Sequence, residues 1–337
     1  AMARRRAVEI TFAALFELHG GTTCVEMFAE LPTDVVAADG VAAFRAARGD
    51  FLFLRVAGQP PRLCNFPSVG FDPAAGEVWV FGGWPNDEPA PTDAMYRTIR
   101  GEQQALTWTA QERSEPWPRP RNGAPMVYDP VGRCLLMFGG SAGPQSRFTP
   151  LGDLWRFDLA NRVWRRVNAS GARPSARWHH AVALDAESRR LYLFGGAGEP
   201  PPDRRLHELD LRTDHWASVD EGALRPPAVL GATLTFDPRA KALVLAGGLR
   251  LEMPGEATCG DVWVFSLVTR QWECHPLGGA ARRRDHAAVY CPTDGSHWLV
   301  GGHVSEHVGR FEQFGPAQET VLRLSLTGPK PVLPRQD

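Results

Sequence analysis

The sequence lacks the marks of several common functional classes. Its six cysteines, Cys24, Cys64, Cys134, Cys259, Cys274 and Cys291, include no CxxC pair, which excludes the paired-knuckle zinc modules and leaves scattered thiols suited to burial in a reducing compartment. No apolar run is long enough to cross a bilayer as a helix. Glu9 and Glu17 interrupt the apolar residues that follow Arg4, Arg5 and Arg6, so residues 7–19 read as strand rather than as a secretory leader. The expected location is therefore cytoplasmic or nuclear. Neither sign of charge prevails: the formal net charge is -1, which argues against bulk attraction to nucleic acid or to an anionic membrane.

What the chain has in quantity is punctuation and tryptophan. Gly 34 and Pro 29 in 337 residues fit a fold with many turns, and the Trp 11 are spread at intervals. An apolar run ending in Gly-Gly recurs six times. The pairs are Gly20-Gly21, Gly82-Gly83, Gly139-Gly140, Gly195-Gly196, Gly247-Gly248 and Gly301-Gly302, between 52 and 62 residues apart. After the pair comes a second element: Asp153-Leu-Trp-Arg-Phe-Asp158 leads to Trp164, Leu206-His-Glu-Leu-Asp210 to Trp216, and Asp261-Val-Trp-Val-Phe-Ser266 to Trp272. Before the pair comes a third, clearest at Arg177 to Asp185 and varied at 66–72, 121–129, 229–237 and 285–290. Each unit thus holds four short strand-like runs separated by turn residues. Gly-Gly after the second run permits positive φ and close backbone approach. The spaced aromatics suit the space between stacked four-stranded units, which cannot bury both faces alone.

This order of double glycine and spaced aromatics resembles the kelch repeat over nearly the whole chain. The resemblance implies an all-β, six-bladed propeller occupying residues 1–333, followed by a tail, 334–337. The first blade, 7–56, is degenerate and lacks a turn between its first two strands. The last blade, 285–333, has proline where the tryptophan belongs, so its fourth strand is expected to be weak or missing. Five blades with an N-terminal extension is the second arrangement that the repeats allow.

The family resemblance also frames function. Kelch propellers usually bind other proteins, which implies a monomeric binding module with no cofactor, taking a protein or peptide and neither nucleic acid nor membrane. The connections from strand four to strand one, together with those from strand two to strand three, carry many arginines. The expected binding set is Arg62, Arg121, Arg177, Trp178, Arg204, Arg205, Arg283 and Arg284, with Trp117 beside them, and the expected partner is acidic. The competing expectation is an enzyme. Glu199-Pro-Pro-Pro-Asp203 with His207 resembles the iron-binding triad of the plant specifier proteins, lyase-like kelch propellers, and two carboxylates with an imidazole suit Fe(II). His207 also aligns with the core aromatics Trp155 and Trp263. His303-Val-Ser-Glu-His307 has the lettering of an inverted zinc-protease motif, but that chemistry needs a helix, and a loop is expected there.

Overall fold

A computed structural model describes the chain except for residues 1–7, 19–20, 32–39, 46–49, 59–63, 73, 86–87, 101–105, 145–146, 199–203, 252–257, 309–310, 318–320 and 327–337. Among the described residues, apart from a 3-10 turn at Gly279–Ala281, the regular elements are strands, and no helix there is long and apolar enough to cross a membrane.

Five antiparallel blades surround one axis. Blade I contains Ser68–Asp72, Glu77–Phe81, Met95–Arg100 and Leu106–Ala110. Blade II contains Met126–Asp129, Cys134–Phe138, Leu154–Asp158 and Val163–Val167. Blade III contains Ala181–Asp185, Arg190–Phe194, His207–Asp210 and His215–Ser218. Blade IV contains Thr233–Asp237, Ala242–Ala246, Asp261–Ser266 and Gln271–Pro276. Blade V contains Ala287–Cys291, Ser296–Val300 and Val321–Ser325. It shows no fourth strand among the described residues.

The five-blade arrangement replaces the expected six. The N-terminal strands Val8–Leu18, Gly21–Leu31, Gly40–Arg45 and Asp50–Gly58 do not form a separate sheet. Asp50–Gly58 runs parallel to Leu106–Ala110, with Gly58 opposite Trp108, so the extension and blade I share hydrogen bonds. Its first hairpin lies against the inner strand of blade I on one side and that of blade V on the other. Gly21–Leu31 is strand, and the segment expected as a loop at 303–307 is strand too, in the hairpin His303–Val308 with Phe311–Ala317. The first is drawn into the long pairing with Val8–Leu18, because no turn residue divides that run before Gly20.

The repeats do the same physical work in each blade. Every described glycine of the five later pairs has positive φ, from 65° to 96°. A Cβ on Gly82, Gly139, Gly195 or Gly247 would sit 2.3–2.5 Å from a carbonyl oxygen of the next blade. The second glycine of each pair donates its N–H to that same carbonyl: Gly83 to Arg121, Gly140 to Arg177, Gly196 to Val229 and Gly248 to Arg283. The double glycine is therefore an inter-blade hydrogen bond that leaves no room for a side chain. At the other end of the inner strand, Asp72, Asp129, Asp185 and Asp237 accept backbone N–H groups two residues on, closing the one–two turn.

Blade-to-blade packing is aromatic. Trp164 meets Phe81 of the preceding blade at 5.4 Å, Trp216 meets Phe138 at 5.4 Å and Trp272 meets Phe194 at 5.7 Å. All six rings are buried. Ala246 of blade IV and Val300 of blade V stand where blades I to III have phenylalanine.

Candidate interaction site at the mouth of the axis

The loops that lead into each inner strand pair with the residues after each Gly-Gly. Cys64–Asn65 pairs with Trp84–Pro85 and Val229–Leu230 with Leu249–Arg250. Asn122, Trp178 and Arg284 bridge to Ser141, Ala197 and His303. The four–one and two–three connections thus share one face.

At the centre of that face a hydrogen-bonded girdle ties the five blades together. Gly123 donates its N–H to the carbonyl of Phe66, His179 to Gly123, Gly231 to His179 and Asp285 to Gly231, at 2.7–2.8 Å. All five residues have left-handed backbones, with φ between 50° and 65°. Phe66, His179 and Asp285 adopt it without being glycine, a conformation that persists only where the surroundings enforce it. Large side chains alternate with glycine for a steric reason. A Cβ on Gly123 would lie 2.5 Å from the His179 ring, and one on Gly231 would lie 2.3 Å from Asp285 Oδ1.

The three side chains meet across the axis. The Phe66 and His179 rings are 4.2 Å apart, edge to face. His179 Nδ1 is 3.2 Å from Asp285 Oδ1, Arg284 Nε donates to Asp285 Oδ2 at 2.7 Å, and His303 Nε2 is 3.8 Å from the same oxygen. Burial pushes the Asp285 carboxyl up, but Arg284, His179 and His303 outweigh it and hold it well below the usual carboxylate range. Beside this cluster lies a cavity of about 250 Å³, lined by Phe66, Trp84, Asn122, Phe148, Trp178 and His179, among others. Phe148 stacks on Trp178 at 5.5 Å and meets Trp84 edge-on at 6.1 Å.

The expected arginine set divides. Arg121, Arg177 and Arg283 are 0% exposed and Arg284 is buried, which corrects their assignment to a partner-facing surface. Each of the first three donates to the carbonyl of the first glycine in its own blade's pair: Gly139, Gly195 and Gly301. Arg121 also forms a two-pronged pair with Asp153 at 2.8 and 2.9 Å. These arginines fasten the loop to the double glycine from beneath, so their side chains point inward. Trp117 is buried as well, its indole donating to the Asp93 carbonyl. Arg204 and Arg205 are exposed, Arg204 with its Nε donating to the Pro226 carbonyl, and Trp178 is half-buried on the cavity wall. Arg62 lies outside the described residues.

Of the expected metal triad, Glu199 and Asp203 also lie outside the described residues. His207 is buried opposite Leu193, the register at which Trp155 faces Met137 and Trp263 faces Leu245. It therefore occupies the core position its alignment indicated. His303 and His307 lie on a strand rather than a helix. Among the described residues no group of three or more His, Cys, Asp or Glu is placed to hold a metal ion.

Residues 73–302 match the model of the KLHDC2/KLHL20/DRC7 Kelch-repeats domain. The chain belongs to the kelch-repeat family. Among its relatives, Mei4-dependent protein 6 of Schizosaccharomyces pombe is 24% identical over 202 residues, covering 54% of this chain and 28% of that protein. Acyl-CoA-binding domain-containing protein 4 of Arabidopsis thaliana is 36% identical over 112 residues, covering 33% of this chain and 16% of that protein. Kelch domain-containing protein 10 of Xenopus laevis is 27% identical over 179 residues, covering 51% of this chain and 41% of that protein. The chain spans less than half the length of each of these relatives. Protein binding is typical of the family.

Sequence reasoning missed the axial residues themselves. Trp84 and Phe148 carried no motif, and Phe66, Asn122 and His179 stood only inside the runs that precede each glycine pair. One signal was present: Gly123, His179, Gly231 and Asp285 all stand two residues after the position whose carbonyl receives the Gly-Gly bond. Small and large residues alternate there in chain order.

Proposed function

We propose that this propeller docks an acidic protein segment on the face built by the four–one and two–three loops, centred on the axial cavity. The carrying observation is the aromatic wall of that cavity together with exposed arginines on neighbouring loops of blades II and III. Arg147, Arg173, Arg204 and Arg205 are exposed. The loop carrying Arg173 runs close against both blades, since a Cβ on Gly152 or Gly198 would meet Ala176. Exposed guanidinium groups bind carboxylates in pairs. Aromatic residues and arginine are the types most enriched at binding hot spots.

The test is charge reversal of the exposed set. Arg147, Arg173, Arg204 and Arg205 changed together to Glu should weaken binding of a blocked Glu/Asp-rich peptide at least tenfold and leave the melting temperature in place, with the wild-type affinity falling as salt rises. Unchanged affinity, or a hydrogen-exchange footprint on the opposite face, would overturn the reading.

A further inference from the structure

Two blades carry an added strand outside their outermost one. Asp50–Gly58 runs parallel to Leu106–Ala110 of blade I, and Ser170–Gly171 runs parallel to His215–Ser218 of blade III. In both, glycine stands opposite the tryptophan of the blade: Gly58 opposite Trp108 and Gly171 opposite Trp216. Blade III shows the reason. Ser170 and Ala172 donate their N–H groups to the outward carbonyls of Asp214 and Trp216, at 2.8 and 2.9 Å. A Cβ on Gly171, whose φ is +81°, would strike the Trp216 carbonyl oxygen.

Blade II has the same edge without the added strand. Among the described residues, Val163–Val167 is paired with Leu154–Asp158 alone. Trp164 faces Phe157 in the register at which Trp216 faces Leu209, so its N–H and carbonyl point outward as those of Trp216 do. The edge is cationic. Arg162, Arg165 and Arg166 are exposed, and Arg165 and Arg166 project to opposite faces of the sheet. The acids that feel these charges are already engaged. Asp158, near Arg165, accepts the N–H groups of Ala160 and Asn161, and Glu77, near Arg162, is paired with Arg97. The outer strand of blade IV, also without an added strand among the described residues, carries Glu273 and lacks this single sign. Charges on an open edge keep a second copy from pairing. Three of one sign do so while leaving the edge open to a strand of the opposite sign.

We propose that an extended acidic segment of a partner protein adds to blade II as a parallel strand, with a glycine opposite Trp164. Main-chain hydrogen bonds supply the attachment, and carboxylates flanking the glycine answer Arg162, Arg165 and Arg166. This site goes beyond docking on the loop face and uses none of the arginines assigned there.

The experiment titrates the full 337-residue chain with a blocked peptide of Glu and Asp around a central Ser-Gly, followed by amide NMR. The Trp164 amide should shift and exchange more slowly. Arg165→Glu with Arg166→Glu, both at exposed positions, should weaken binding about tenfold and leave the melting temperature in place. A peptide with Ser at every Glu and Asp should lose about the same factor. Valine in place of the peptide's glycine should also weaken binding about tenfold, because its Cβ meets the Trp164 carbonyl. N-methylation of the residue after that glycine, which donates to the Trp164 carbonyl, should cost about tenfold. N-methylation of the glycine itself, whose N–H points away, should cost nothing. Equal effects of the two N-methylations, or equal binding of the valine peptide, would overturn strand addition. No effect of the double reversal, or equal binding of the Ser peptide, would overturn the acidic partner. Shifts confined to loop-face amides would overturn the edge site and keep docking on that face. No shift at any amide would overturn both.

Discussion

Replacing Arg121 separates a structural arginine from a surface one. Its guanidinium is fully buried and holds the Gly139 carbonyl at 2.7 Å, both oxygens of Asp153, and the Arg119 carbonyl at 3.2 Å. Arg121→Ala strands the Asp153 carboxylate, which burial raises and Arg121 holds below its ordinary value. Breaking a buried pair from one side costs about 3–5 kcal/mol. Asp153 keeps 14% exposure and a bond from the Trp155 indole, so the lower end, about 3 kcal/mol, applies. For 337 residues the unfolding entropy is about 0.7 kcal/mol/K, so the melting temperature should fall by about 4 °C. In urea the midpoint should drop with the slope unchanged. Adding Asp153→Asn should recover part of the loss, because the stranded charge is then gone. A surface arginine would cost less than about 0.5 kcal/mol. A melting temperature within 1 °C of wild type, as expected for Arg205→Ala, would refute the fastening role.

Other perturbations follow from the same geometry. Trp164→Ala should cost about 3–5 kcal/mol by calorimetry, and Trp272→Ala more, because the Trp272 indole also donates to buried Glu221 at 2.6 Å; equal losses would show that the Glu221 bond adds nothing. Gly247→Ala should cost well over 1 kcal/mol, since its φ is +65° and its Cβ would lie 2.3 Å from the Arg283 carbonyl; a soluble variant with an unchanged melting point would contradict the inter-blade contact. Burial, with Arg283 adding, pulls the His286 imidazole down to about 3, and burial holds His180 well below its ordinary value. The unfolded chain takes up protons below about pH 6.5 that these two folded histidines refuse, so their contribution is complete above that pH. It is lost on acidification at up to about 1.4 kcal/mol per pH unit for each. His286→Asn should flatten the fall in urea midpoint between pH 6 and 4, and an unchanged slope would show that His286 is not buried neutral.

The repeat was legible in the chain because its causes are local or nearly so. A double glycine is needed wherever the next blade's carbonyl passes at hydrogen-bond distance, and Trp164, Trp216 and Trp272 recur because each fills the same gap over a neighbouring phenylalanine. The absence of a tryptophan before Pro331 and the missing turn before Gly20 marked the two irregular ends. What the chain could not show is direction. Arg177 and Arg204 occupy loops of the same face and look alike as letters. Yet Arg177 turns inward to the Gly195 carbonyl, while Arg204 lies outside against the Pro226 carbonyl, and only the packing of one blade on the next decides between them. The blade count was likewise settled by pairing at a distance, the parallel register of Gly58 with Trp108. The axial site is the plainest case: Phe66, Gly123, His179, Gly231 and Asp285 come from five blades, and their meeting exists only once the ring has closed. A charge on Asp285 and a ring edge on Phe66 have no local signature. Each acquires its chemistry from neighbours brought across the axis.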